Sequence, residues 1–147
     1  MSTRKQGERN SKLSNILFTE NITFEGKKFY DWVITISFYS AIHFLEDFIL
    51  PKTINLQQCK NLNEVKSAYK MPGRHEARER LVWDNMNTEI AAYYSWLDNK
   101  SRFSRYTTYK VTITEAQKAQ DYLNKIITAC ALPAATVAPT AGDQPTT

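Results

Sequence analysis

The sequence predicts an all-α protein, an up-and-down bundle of four to five helices in one domain. Three observations predict it. Apolar residues recur at i, i+3 and i+4 over several long stretches, the spacing of a helical face. Turn formers are scarce, with 4 Gly and 5 Pro in 147 residues, and Pro133, Pro139 and Pro145 all lie beyond residue 132. The hydrophobic fraction, 42%, is near the globular average and includes 3 Trp, 8 Tyr and 7 Phe, enough to bury a bulky core.

Residues 1–11 are polar and basic and are expected to be a flexible lead-in to a helical domain over 12–131. A first helix is predicted from Lys12 to Asn21, on the spacing of Leu13, Ile16 and Leu17. Gly26 breaks the chain, and a second helix follows from Lys27 to Leu50, apolar on most sides, stopped by Pro51. Residues 52–73 form a connection with a short helix from Leu62 to Lys70, capped by Asn61 or Asn63, and Pro72-Gly73 marks a turn. Val82, Met86, Ile90, Tyr93 and Leu97 predict a third long helix from Arg74 to Asp98, its first turns steadied by Glu76 and Arg80 at i, i+4. Residues 99–110 are expected to leave that helix as a basic, aromatic loop. Thr114 is the expected cap of a last helix running through Ile127, and 132–147, rich in Pro, Thr and Ala, a disordered tail.

Composition narrows the function classes. Cys59 and Cys130 stand far apart without a CxxC spacing and read as reduced thiols. The polar N-terminal stretch lacks the apolar run of a secretory signal, and Phe29 to Leu50 carries Asp31, Glu46 and Asp47, which argues against a membrane span. A cytoplasmic protein that does not enter membranes is expected. There is no HExxH, no GxSxG and no glycine-rich phosphate loop, so no metal site, cofactor or ordinary metabolic chemistry is expected. The formal charge is only +4. Its distribution says more, because Lys100, Arg102, Arg105 and Lys110 lie in one stretch with Phe103, Tyr106 and Tyr109 and no acid. Basic groups interleaved with rings suit phosphates and stacked bases.

Both histidines fall on long helices. His43 has Tyr39 and Asp47 one turn to either side and Glu46 on the same face, the setting of a core histidine held by a carboxylate or a tyrosine. His75 starts a helix with Arg78 one turn on, a pair able to address an anion, with Glu76 and Glu79 as competing partners. His75, Arg78, Arg102, Arg105 and Tyr106 are therefore the candidate anion or nucleic-acid-binding residues, and His43, Glu46 and Asp47 their structural support.

Three stretches, in order, resemble the HEPN (higher eukaryotes and prokaryotes nucleotide-binding) family. FYSAIHFLEDFI, from Phe38 to Ile49, is similar to its aromatic-aromatic-small-Ala-aliphatic-His helix. RHEARERLV, from Arg74 to Val82, resembles the His-containing start of its next long helix. YYSWLDNKSRFSRYTTYKVTITEAQKAQDYLNKII, from Tyr93 to Ile127, resembles its closing pattern of a Tyr-x-x-Leu helix end, an Arg-x-x-x-Tyr segment and a Thr-Glu-capped helix. The resemblance implies a helical bundle, often a homodimer, associated with RNA or nucleotides in toxin–antitoxin or phage-defence systems. Many such proteins are metal-independent ribonucleases in which an Arg precedes a His with four to six residues between them. That motif is missing: nothing basic stands at positions 36–38 before His43, and Pro72-Gly73 separates Lys70 from His75.

The expectation is thus an RNA- or nucleotide-binding HEPN-like module, a homodimer, with a nucleotidyltransferase or an antitoxin as possible protein partner. Two alternatives differ in kind. One is a metal-independent ribonuclease with altered catalytic residues, in which His75 is the acid or base. The other is a non-catalytic assembly module joined through the apolar helix and Tyr93, Tyr94 and Trp96. The position of the histidines and arginines in the fold separates them.

Overall fold

A computed structural model describes residues 3–106 and 110–131. Six helices carry the described fold: α1 (Thr3–Thr19), α2 (Tyr30–Ile49), α3 (Leu62–Tyr69), α4 (Arg74–Asn85), α5 (Thr88–Tyr106) and α6 (Ile113–Cys130). Two small antiparallel hairpins interrupt them, β1 (Thr23–Phe24) with β2 (Lys27–Lys28) and β3 (Lys52–Ile54) with β4 (Gln57–Cys59). The all-α expectation holds in its coarse form. No helix among the described residues is long and apolar enough to cross a membrane.

The 20-residue α2 is the central rod and packs against α1, α5 and α6. Ile34, Ala41 and Leu45 are wholly buried on its inner side, where Leu81, Val82, Tyr94, Leu97, Leu123 and Ile126 close the core. Burying a side chain of this size is worth roughly 1.5–3 kcal/mol, which overrides the modest helix propensity of a segment so rich in β-branched residues.

Several boundaries move. The first helix begins at Thr3, so residues 3–11 are not a flexible lead-in; Gly7 lets α1 lie close on α2, where an added Cβ would meet Phe44 Cδ2 at 2.9 Å. The Arg74–Asp98 helix is two helices. The chain turns extended at Met86, and the Asn87 side chain accepts from Ile90 N at 2.9 Å to start α5. Nor does α5 stop at Asp98; it runs on to Tyr106, so Arg102 and Arg105 sit on a helix and not on a loop. Thr112, not Thr114, caps α6, its side chain accepting from Glu115 N at 3.2 Å. Arg80 pairs with Asp84 at 3.5 Å in place of Glu76. Of the two candidates for α3, Asn61 is the cap. The expected tail over 132–147 and residues 107–109 of the basic stretch lie outside the described residues.

Candidate functional site

The site grows from the outer face of α2. Trp32, Ile36, Tyr39, His43 and Glu46 follow at i, i+4, i+7, i+11 and i+14, which keeps them in one narrow sector at about 100° per residue. On one flank of that stripe α2 is sealed to α1: Ser40 Oγ donates to Gly7 O at 2.7 Å, and the Ser14 and Ser37 hydroxyls share a hydrogen bond at 2.7 Å. On the other flank it meets α5, with Thr35 Oγ1 3.2 Å from Ser104 Oγ and the Phe38 ring 5.8 Å from that of Tyr94. The stripe itself faces outward, with Trp32 and Tyr39 exposed and Ile36, His43 and Glu46 half-buried.

Charged groups from α4 and α5 line the second flank. Arg78 Nε donates to Glu46 Oε1 at 2.8 Å, tying α4 to α2. On α5, Asp98, Arg102 and Arg105 recur at i, i+4 and i+7. Asp98 is only 3% exposed and is shared by two cations. Arg102 forks onto it, Nε to Oδ1 at 3.3 Å and Nη2 to Oδ2 at 3.2 Å, while His75 Nε2 from α4 lies 3.2 Å from Oδ2. Arg105 donates from Nη1 to the Tyr39 hydroxyl at 2.6 Å and from Nε to Ser101 O at 3.1 Å, and its guanidinium carbon lies 5.6 Å from the Tyr39 ring centre. Two guanidinium groups and one imidazole thus meet two carboxylates along the seam, and a third guanidinium, that of Arg105, meets the Tyr39 hydroxyl.

Burial shapes the chemistry beneath it. Desolvation pushes the Tyr94 phenol above its ordinary range, opposed by Arg78 and aided by Asp98, so Tyr94 stays neutral among these charges. Desolvation likewise holds His43 below the usual imidazole value; Glu46 works against that shift and Arg78 with it. The His43 Nδ1 is buried without a hydrogen-bond partner. The expected setting is a core histidine held by a carboxylate or a tyrosine; here Glu46 accepts from Arg78 and the Tyr39 hydroxyl from Arg105. Asp47 is exposed and shares a cleft of about 270 Å³ with Lys60 and Arg74.

Four of the five expected binding residues can be placed. His75, Arg78, Arg102 and Arg105 share the seam, and Tyr106 ends α5 with its side chain outside the described residues. The partners of His75 are not Glu76 or Glu79 but Asp98, which sequence reading passed over. Its signal was the i, i+4 spacing to Arg102, hidden by ending the helix at Asp98. Tyr39 stood in the sequence only as a neighbour of His43, although Arg105 is what it holds.

Among the described residues no group of three or more His, Cys, Asp or Glu side chains is arranged to hold a metal ion. Cys59 and Cys130 are both free and buried, and burial pushes the Cys130 thiol up to about 12, far from a reactive thiolate. What the seam does offer is a row of fixed, partly solvated cations, with a half-exposed imidazole oriented by a buried carboxylate. No family model, curated protein or solved structure matches this chain.

Proposed function

We propose that the chain is an RNA- or nucleotide-binding helical module and that the α2/α4/α5 seam receives the phosphates. One observation carries the reading: the pair His75 and Arg78 of α4 and the pair Arg102 and Arg105 of α5, distant in sequence, line one seam and are not scattered over separate faces. Arg102 keeps 45% of its side chain in solvent while its fork is fixed by Asp98, so it is pre-oriented and still reachable by a phosphate oxygen. Arg78 is more deeply held by Glu46 and serves chiefly to position α4. The resemblance to the HEPN family supports the same ligand class and a place in a prokaryotic or phage-related defence or toxin–antitoxin system.

The test is titration of a labelled RNA oligomer with the wild type and with an Arg102→Ala/Arg105→Ala double variant across a salt series. Phosphate binding makes the logarithm of affinity fall linearly with that of salt, and losing two contacts is expected to reduce the slope by about 2. Equal affinity of the two proteins at low salt overturns the proposal.

The Asp98–His75 contact favours a second reading, a metal-independent ribonuclease. A carboxylate at Nε2 fixes the orientation of the imidazole, and Arg102 stands beside it to neutralise a developing phosphorane. Cleavage of RNA in the presence of a chelator, abolished by His75→Ala, is the result this reading requires.

A further inference from the structure

The cations account for one flank of the α2 stripe but not for the rings on it. Trp32 is 50% exposed and Tyr39 40%, on a helix whose other large apolar residues are mostly buried. Seven residues separate them, so they sit about 10 Å apart along the axis, close to three stacked-base rises of about 3.4 Å. Half-buried Ile36 lies between them on the same stripe. At Tyr39 the ring meets the seam directly, because Arg105 both donates to its hydroxyl and lies over the ring.

We infer that the Trp32–Tyr39 stripe is a base-stacking platform and that the ligand of the seam is single-stranded RNA, its unpaired bases on the rings and its phosphates along Arg102 and Arg105. The inference rests on the reading of the seam as a phosphate site and adds what that reading leaves open. Phosphate contacts alone treat single strands and duplexes alike. Only unpaired bases can be splayed onto exposed aromatic faces. The Arg105–Tyr39 contact adds a guanidinium plane beside the ring, a second flat surface of the kind bases stack on. A second copy of the chain seated isologously on this stripe is the less favoured occupant, since a two-fold contact here brings the flanking guanidinium groups toward their own equivalents.

The experiment compares a labelled oligouridine 12-mer with an RNA duplex of the same length. Both are titrated by anisotropy into the wild type, Trp32→Ala, Tyr39→Ala, Trp32→Phe and Arg102→Ala/Arg105→Ala, with light scattering of each protein. Tighter binding of the single strand by the wild type is expected. Trp32→Ala should lose roughly 5- to 150-fold of that affinity, the range for one base–aromatic stack, with duplex binding unchanged. Tyr39→Ala also releases Arg105, so it should weaken both RNAs and the single strand more than the duplex. Trp32→Phe should restore most of the loss, which a purely structural role for the indole would not produce.

Equal binding of both RNAs, insensitive to Trp32→Ala but weakened by the double arginine variant, overturns the platform and leaves the phosphate seam standing. Failure to bind either RNA at low salt removes both. A Trp32→Ala protein that binds RNA normally but changes from dimer to monomer makes the stripe a subunit contact and likewise overturns the inference.

Discussion

The two flanks of α2 are both polar, and they solve opposite problems. Toward α1 and α6 the network is neutral, small and closed: Ser14 Oγ donates to Val33 O at 3.1 Å, Ser37 and Ser14 share a hydrogen bond, and Gln120 Nε2 donates to both hydroxyls. Ser14 and Ser37 are wholly buried. Toward α4 and α5 the groups are charged and range from the buried Asp98 to Arg102, which keeps 45% of its side chain in solvent. Neutral hydrogen bonds can be sealed into a core at little net cost, while buried ions need excellent pairing to break even. A fold seeking only to join α2 to its neighbours would repeat the first solution. Charges on the second flank, with one face wet, are what the proposed phosphate seam requires.

Arg78 is where the two solutions differ most. Its side chain is 15% exposed and that of Glu46 20%. Arg78→Ala strands a half-buried carboxylate and is expected to cost about 2–4 kcal/mol in urea unfolding, the lower part of the range for breaking a buried pair because both groups touch solvent. Replacing both partners, Glu46→Gln with Arg78→Met, should recover most of the loss. If the double variant is as unstable as the single, the pair is not the source of the cost. For the same reason Arg78 is a poor probe of the proposed RNA binding, and Arg102 with Arg105 is the better one.

The next effect belongs to the neutral flank. Gly7→Val puts carbon where Phe44 Cδ2 stands at 2.9 Å and His43 Cβ at 3.2 Å, and overpacking of this kind costs about 1–3 kcal/mol. Gly7→Ala should cost less, because alanine regains about 1 kcal/mol of helix propensity. Thermal melts of the two variants settle the order, and a Gly7→Val protein as stable as wild type would mean that α1 does not sit so tightly on α2.

These flanks were unequally legible in the sequence. α2 was readable because apolar residues recur on most of its sides over five turns and Pro51 ends them. The close seat of α1 was not, since TRKQGERNSK has no apolar periodicity; what holds it is a glycine and serines facing Ser37 and Ser40, and small residues give no hydropathy signal. The convergence of His75, Arg78 and Arg102 was half legible. Arg78 and His75 share a helix turn by spacing, but Asp98 joins His75 to Arg102 only once the chain bends at Met86 and α4 and α5 lie side by side. That bend came from an asparagine cap inside an otherwise continuous apolar pattern, and the pattern outweighed the cap. Both hairpins were missed because each strand is two or three residues long, too short for alternation to register.

A smaller effect distinguishes the flanks by their response to salt. Ser14→Ala deletes a buried hydroxyl shared by Val33, Ser37 and Gln120 and should cost about 1–2 kcal/mol. Because every group involved is neutral, the cost should be the same at low and high ionic strength. Arg102→Ala withdraws two hydrogen bonds from the buried Asp98 and leaves it His75, so it should cost about 1–2 kcal/mol, and salt should shrink it because Arg102 itself is half in solvent. Urea melts at two salt concentrations test both; a salt-dependent Ser14→Ala would place charge in a network that here contains none.

The smallest effect lies where the flanks meet, at His43. Its ring is half-buried beside the Gly7 contact on one side and the Glu46–Arg78 pair on the other. Burial lowers its pKa, so the unfolded chain takes up a proton near the ordinary value of about 6.5 while the folded chain resists until lower pH. The unfolded state therefore binds more protons as the pH drops, and the stability His43 contributes is complete above about pH 6.5 and lost as the pH falls toward and through the folded value. His43→Gln cannot take the proton. Its unfolding free energy should fall less steeply than that of the wild type between about pH 5 and 6.5, above the ordinary carboxylate range. Arg78 shares the responsibility, since its charge adds to the lowering; in Glu46→Gln/Arg78→Met the opposing influence of Glu46 and the supporting one of Arg78 vanish together and burial alone remains. A pH slope in that double variant close to the wild type, with a flat one in His43→Gln, would assign the sensitivity to desolvation by α1 and not to the seam. Slopes that change with the ion pair and not with His43 would mean that the histidine is already in contact with water and that the neutral flank ends before it.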